Sequence, residues 1–298
     1  MELVTLDHAE RSNHLGQELL RAWTVPDLGD QVSDRLDTLS PEIEQELQEG
    51  IAKGKRTFSL SNCGHLTCIP QSVVDARLTR LFIDYCQIDD LSALSQMTEL
   101  ELLRIEGLHN SDVSLSPLIG LESLRSLELH AADDQKGCPI DLDTLPKLTQ
   151  LEELVLWGVG LDDVTPLANL TQLKDLDLSE TCITSFPIIR QLPNLELLDL
   201  SFTSISDITP ILGAEHLRVL GLDGTPLTEL PDMASLTGLQ VLRFSWTKID
   251  SLTPVSALKN LETLMFTNTL VSDLTPLAAL PLLTQLDYDN TPAAELES

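Results

Sequence analysis

Residues 173–187 read LKDLDLSETCITSFP and residues 195–209 read LELLDLSFTSISDIT, one pattern written twice at a spacing of 22 residues. Leu173, Leu176, Leu178, Thr181 and Ile183 recur as Leu195, Leu198, Leu200, Thr203 and Ile205. The LxLx alternation sends Leu176 and Leu178 to one face of a short strand and Asp177 and Ser179 to the other. A strand this short cannot bury its leucines alone, whereas copies stacked at the strand spacing of about 4.8 Å close a continuous core. Stacking also sets Asp177 beside Asp199. Opposed like charges in a sheet are destabilising, so this placement needs a reason.

Outward from this pair, leucines open copies at 78, 100, 124, 151, 173, 195, 217, 239, 261 and 283, and seven of those nine intervals are 22 residues. The template LxxLxLxxTxIxxLTPLxxLxx resembles the leucine-rich repeat family. Its 22-residue length and the DLTPL phrase at 273–277 are most similar to the repeats of the internalins and of the phosphatase-1 regulatory subunit group. The resemblance implies an α/β solenoid, a horseshoe or arc with a parallel β-sheet on its concave side and short helical or 3-10 segments on its convex side. About ten to eleven repeats are expected over residues 55–298, and a helical cap over residues 1–54.

Counting the opening leucine as position one, position nine holds Thr181, Thr203, Thr225, Thr247, Thr269 and Thr291. These hydroxyls are expected to bond backbone groups of the turn and of the next threonine as a structural ladder. Earlier copies carry Cys63, Cys86, Leu108, Ala132 and Val159 there; Cys63 and Cys86 fall within bridging reach, or are simply small buried thiols. Ser116-Pro117, Thr165-Pro166, Thr209-Pro210, Thr253-Pro254 and Thr275-Pro276 read as hydroxyl N-caps before proline, each opening a convex helical turn. Phe186-Pro187 and Leu230-Pro231 shift the proline and predict more extended convex segments. Two copies break the period, with extra residues in HNSDVSLSP (109–117) and HAADDQKGCPIDLDT (130–144). Such insertions emerge as edge loops, either neutral or in contact with a partner.

Residues 1–54 lack the repeat. Asp7 and Glu10 precede Leu15, Leu19 and Trp23; Val32, Leu36 and Leu39 form a shorter apolar set; Ser40-Pro41 opens a helix presenting Ile43, Leu47 and Ile51. Capping is one reading and a segment recognised by another protein is the other. At the far end Tyr288, Pro292 and AAELES are expected to finish the array without a separate cap domain.

The 298 residues carry 18 Lys+Arg against 47 Asp+Glu, a net charge of -29, which repels phosphate backbones and anionic lipid and disfavours nucleic-acid and membrane binding. A basic protein partner suits the same field. The N-terminus lacks a basic start followed by an apolar run, and no 18-residue apolar stretch exists, so a soluble, cytoplasmic protein is expected. Neither a wall-anchoring motif nor a ligase-like domain accompanies the repeats, which disfavours the adhesin and ubiquitin-ligase branches of the resemblance. Five cysteines without CxxC spacing fit a reducing compartment and support no zinc site.

The outward-facing strand positions are where the sequence is free to vary. Position five runs Ser59, Phe82, Arg104, Glu128, Val155, Asp177, Asp199, Gly221, Arg243, Met265, Asp287; position seven runs Ser61, Asp84, Glu106, His130, Trp157, Ser179, Ser201, Asp223, Ser245, Thr267, Asp289. Aromatics make up only 4% of the chain, yet Trp157, Phe202 and Trp246 fall on this face or its rim, with Phe82 and Tyr85 as a smaller group. Such residues anchor binding hot spots. The expected partner-binding patch is Trp157, Asp177, Asp199, Phe202, Asp223, Arg243 and Trp246, gripping a basic protein. The alternative, that the acids are merely solvated, stays open. Two forms of the recognition reading stand: a cytosolic inhibitor or immunity-type protein, and a host-directed effector or phosphatase-regulator-like adaptor. An enzyme using paired carboxylates is disfavoured because an open sheet offers no wall to raise one pKa, and the six histidines fall in unrelated registers. No cofactor or metal is expected.

Overall fold

The computed structural model describes residues 38–108, 113–132, 136–141 and 143–297. Eleven parallel strands form one sheet in chain order: β1 (Thr57–Ser61), β2 (Arg80–Asp84), β3 (Leu102–Leu108), β4 (Ser126–Ala131), β5 (Glu153–Trp157), β6 (Asp175–Asp177), β7 (Leu197–Asp199), β8 (Val219–Gly221), β9 (Val241–Arg243), β10 (Thr263–Met265) and β11 (Gln285–Asp287). The register is the one the repeat dictates, with Leu176 against Leu198, Leu198 against Leu220 and Leu220 against Leu242. Position-one, -four and -six side chains of the central copies, such as Leu195, Leu198 and Leu200, are buried in one continuous core. Near the C-terminal end position six passes to Phe244, Phe266 and Tyr288, whose rings stack with centroids 5.7 Å apart at each step.

Every strand but β4, whose position eight is the strand residue Ala131, leaves the sheet through one conformational switch. Position eight adopts left-handed backbone in Asn62, Tyr85, Gly107, Gly158, Glu180, Phe202, Gly224, Trp246, Asn268 and Asn290. The amide there donates to the position-seven carbonyl of the next copy, as from Glu180 to Ser201 at 2.9 Å and from Trp246 to Thr267 at 2.9 Å. The position-nine threonines are buried, and each donates to the carbonyl three residues back in its own copy: Thr181 to Leu178 at 2.6 Å, Thr203 to Leu200 at 2.7 Å, Thr225 to Leu222 at 2.7 Å. The ladder is thus a stack of intra-copy braces. Cys63 and Cys86 continue it as free thiols, donating to Ser61 and Leu60 carbonyls at 3.5 Å.

The convex turns are 3-10 helices that begin at the hydroxyl residue itself, as in Thr165–Asn169 and Thr209–Gly213. The cap is not the expected threonine hydroxyl. An acceptor two residues upstream takes the threonine amide instead: Asp163 from Thr165 at 2.9 Å, Asp207 from Thr209 at 2.8 Å, Asp273 from Thr275 at 2.8 Å. Ser251 and Ser114 do the same for Thr253 and Ser116. Hydrogen bonds from the threonine hold Asp163, Asp207 and Asp273 below the usual carboxylate range. Part of the chain's acidity therefore serves local folding. After Pro187 the helical turn shrinks to Ile189–Gln191, and after Pro231 none forms.

Upstream, α1 (Pro41–Ala52) is capped by Ser40, whose hydroxyl accepts from the Ile43 amide at 3.4 Å. Ile43 and Leu47 enter the core, but Ile51, in the last turn, stays exposed. The helix expected from Asp7 to Trp23 and the set Val32 and Leu36 lie outside the described residues. A second short helix, α2 (Gln71–Asp75), buries Val73 and Val74 on the convex side of the first copy. The C-terminal tail folds as α3 (Pro292–Glu297), with Ala293 buried and its amide on the Val271 carbonyl at 3.0 Å.

If the ladder braces each turn, Thr225→Val keeps the shape but leaves the Leu222 carbonyl without its hydroxyl. A loss of about 1 kcal/mol in urea unfolding is expected, against no measurable change for the exposed Ser204→Ala.

Candidate functional site

The aspartates that stand side by side are real neighbours, for Asp177 pairs Asp199 in register and Asp199 pairs Gly221. They are not an exposed acidic patch. Asp177, Asp199 and Asp223 retain 8%, 2% and 7% of their exposure. Asp177 accepts the Ser179 amide at 2.8 Å together with its hydroxyl, and Asp199 accepts the Ser201 amide at 3.0 Å. Asp223 accepts the Ser245 amide of the next copy at 2.7 Å. Arg243 supplies the countercharge: one guanidinium nitrogen lies 2.6 Å from Asp199, and its Nε lies 3.8 Å from Asp223. Burial works against the charge of Arg243, but Asp199 and Asp223 outweigh it and hold the pKa above its ordinary value.

Arg243 belongs to β9 and Asp199 to β7, so their bond crosses β8 entirely. Gly221 makes this possible, since a Cβ there would stand 2.5 Å from Asp199 Oδ1 and 2.7 Å from an Arg243 nitrogen. Three residues on, the arrangement repeats with carbon. A Cβ on Gly224 would meet the Phe202 ring at 2.4 Å, and across that glycine the Phe202 and Trp246 rings approach to 6.2 Å at a tilt of 37°. The copy that opens at Leu217 has surrendered two side chains, and its neighbours close over it.

Phe202 and Trp246 keep 49% and 53% of their exposure, and Tyr85 keeps 45%. These are the exposed aromatics among the described residues, and all three occupy the left-handed position eight, with φ of 58°, 56° and 52°. A bulky residue there costs about 1–2 kcal/mol over the right-handed well. Glycine or asparagine takes the same position in Gly158, Gly224, Asn268 and Asn290. Phe82, expected beside Tyr85, is instead buried.

Trp157 is half-buried on β5, its ring 6.2 Å from that of His130 and covered by Lys136 from the insertion, with Nζ 5.2 Å from the ring centroid. Lys136 also pairs with Glu180. The structure thus brings Phe202 and Trp246 together, and Asp177, Asp199, Asp223 and Arg243 together, while Trp157 sits in a separate cluster. Lys136 and Glu180 escaped the sequence reading, as did the half-buried aliphatic row Leu197, Val219 and Val241 at position three. The row was legible from register; Lys136 was not, because an insertion has none.

A second arginine repeats the neutralising device nearer the N-terminus. Arg104 pairs with Glu106 and lies 3.9 Å from both Asp84 and Glu128. Between the two arginines, Glu153 and Asp175 are adjacent in register without one. Burial, then the charges of Glu128 and Asp175, push Glu153 up to about 7; burial, then Glu196, raises Asp175. Among the described residues no group of three or more His, Cys, Asp or Glu is placed to hold a metal ion, and no helix is long and apolar enough to cross a membrane.

A family model described as leucine-rich repeats in two copies matches residues 171–213, the segment that holds the duplicated stretch. An internalin C2 from Listeria monocytogenes is similar at 30% identity and a TM-score of 0.56, over 65% of this chain and 82% of that one. The chain belongs to the leucine-rich repeat family. An internalin (InlF) of the same organism is similar at 28% identity and a TM-score of 0.62, covering 78% of this leucine-rich repeat chain and 65% of its own. A leucine-rich repeat protein of Leptospira interrogans shares the fold at 21% identity and a TM-score of 0.67, over 83% of this chain and 63% of that one. The chain thus spans less than two thirds of the length of these last two. No curated protein matches it. The fold is that of a protein-interaction module.

Glu153 yields a pH prediction. Its folded pKa lies above the unfolded value, so the native state holds the proton more tightly and stability is fully present below about pH 4.5. It is lost as pH rises through about 7. Glu153→Gln should remove this slope and stabilise the fold at pH 8 by about 2–3 kcal/mol, read from urea midpoints at pH 5 and pH 8.

Proposed function

We propose that this chain is a non-catalytic recognition module whose concave face and rim receive a basic protein partner on Trp157, Phe202 and Trp246, with Asp177, Asp199, Asp223 and Arg243 as the buried network that fixes the strands carrying them. The observation that carries the reading is the placement of Phe202 and Trp246, exposed rings kept on backbone that disfavours them. Strain retained at an exposed position points to use at that position. Large, rigid aromatics are the usual hot-spot anchors. The two groups divide the work. Phe202 and Trp246 supply apolar contact, and the Asp199–Arg243–Asp223 network beneath them holds β7, β8 and β9 in fixed relation, so the platform is preorganised.

The basic character of the partner follows from the net charge of -29, which steers cationic proteins toward the face and repels anionic ones. In this reading the protein acts in the cytoplasm as an inhibitor or immunity-type protein covering a positively charged surface, and residues 1–54 cap the array. Leucine-rich repeat proteins are typically binding modules without catalysis, and the concave carboxylates fit that pattern, since Asp177, Asp199 and Asp223 are engaged by backbone amides.

The test is capture from the native cell with wild type beside a Phe202→Ala, Trp246→Ala double variant whose fold is checked by circular dichroism. A stoichiometric partner of high isoelectric point should be retained by wild type and released by the variant. Association with wild type should slow as salt rises. Equal capture by both proteins would move the site off this platform.

A further inference from the structure

Resting on that reading, we propose that Trp157, His130 and Glu180 form a seat for one lysine or arginine of the partner, and that Lys136 of this chain fills the seat in the free protein. The molecule displays the chemistry itself. An alkylammonium lies over an indole face, 5.2 Å from the ring centroid, and pairs with a carboxylate. An aromatic face with a carboxylate beside it is what recognises an organic cation. The His130 ring, 6.2 Å from that of Trp157, flanks it.

The backbone that delivers Lys136 is held closely. Gly137 donates to the Gly158 carbonyl at 2.7 Å, Gly160 donates to the Cys138 carbonyl at 2.7 Å, and Cys138 bridges Val159. A Cβ on Gly160 would stand 2.4 Å from the Gly137 carbonyl oxygen, so this approach needs glycine. The side chain itself is held weakly. Lys136 is half-exposed, so solvent screens its pairing with the more buried Glu180 and its cation–π contact, which together hold it only modestly. Its flexible stem can leave the indole while Gly137 stays in place. An incoming cation therefore displaces one side chain and no backbone.

The seat also specifies spacing. Glu180, Phe202, Gly224 and Trp246 occupy position eight of four consecutive copies. At about 4.8 Å per copy, Glu180 and Trp246 are about 14 Å apart along the rim. An extended chain advances about 3.3 Å per residue, so the partner segment carries a basic residue with an apolar one about four residues away.

The probe is a fluorescently labelled acetyl-hexalysine amide, titrated by anisotropy at low salt against the full chain. Lys136→Ala should bind about fivefold more tightly than wild type, and Lys136→Arg should match wild type. Trp157→Phe and Glu180→Gln should each weaken binding several-fold in the Lys136→Ala background. Lys147→Ala, the same charge change on the exposed convex side, controls for the overall field and should shift affinity far less than Lys136→Ala. Equal tightening by Lys136→Ala and Lys147→Ala, or none by Lys136→Ala, overturns the seat. If, in that case, Phe202→Ala, Trp246→Ala still weakens a second probe in which leucine replaces the fifth lysine, the recognition platform stands without the seat. Absence of binding to every variant overturns the basic-partner reading together with the seat.

Discussion

Burial of each copy's aliphatic and aromatic side chains against those of the next copy is the constraint from which the rest follows. It locks the copies in parallel register, so residues of one repeat position become neighbours about 4.8 Å apart whether or not their chemistry agrees. A globular core can separate two incompatible groups by moving either one. A solenoid cannot, because shifting one side chain means shifting a whole strand whose leucines are fully buried. Incompatibility has to be relieved along the row, by changing the residues one or two copies away.

The row containing Asp177 and Asp199 shows how. Two carboxylates meet, the next copy gives up its side chain at Gly221, and the copy after that contributes Arg243, which reaches back 44 residues to Asp199. Removing one partner of such a buried pair leaves an uncompensated charge and costs about 3–5 kcal/mol, although the intact pair need not stabilise more than an apolar substitute would. Its value is geometric. With Asp199 tied across β8 to Arg243, the two copies that bear Phe202 and Trp246 cannot slide independently, and their rings meet over Gly224 for the same reason that the charges meet over Gly221.

Register made most of this face legible in the sequence. The inward and outward rows, the neighbouring aspartates and the exposed rings at Phe202 and Trp246 all follow from counting positions in a 22-residue template. Counting could not foresee that Asp177, Asp199 and Asp223 would be covered, because burial on a sheet face depends on what the adjacent copies bend over it. Nor could it separate Trp157 from the other aromatics, since the side chain that covers it arrives from an insertion that obeys no period. The convex caps were misread for a different reason. A threonine before proline suits an N-cap, but here the threonine is itself the first residue of the helical turn, so its amide needs an acceptor, and Asp163, Asp207 and Asp273 two residues earlier supply it.

Those caps change what the net charge means. Asp163, Asp207 and Asp273 on the convex side are held ionised by the turns they close, and Asp177, Asp199 and Asp223 accept backbone amides on the concave side; all are spent on folding before any partner arrives. Their field still reaches solution and draws cations from beyond contact distance, but their oxygens are committed. The proposed function thus divides long-range attraction and short-range recognition between different residues. In the proposed reading the acids select which partners approach, and the rim residues, with aromatic rings where stability alone would favour glycine or asparagine, fix where an approaching partner comes to rest. On this division a basic partner that lacks an apolar group to lay on Phe202 and Trp246 would arrive quickly and leave quickly, so affinity resides in the dissociation rate while acidity governs only the approach.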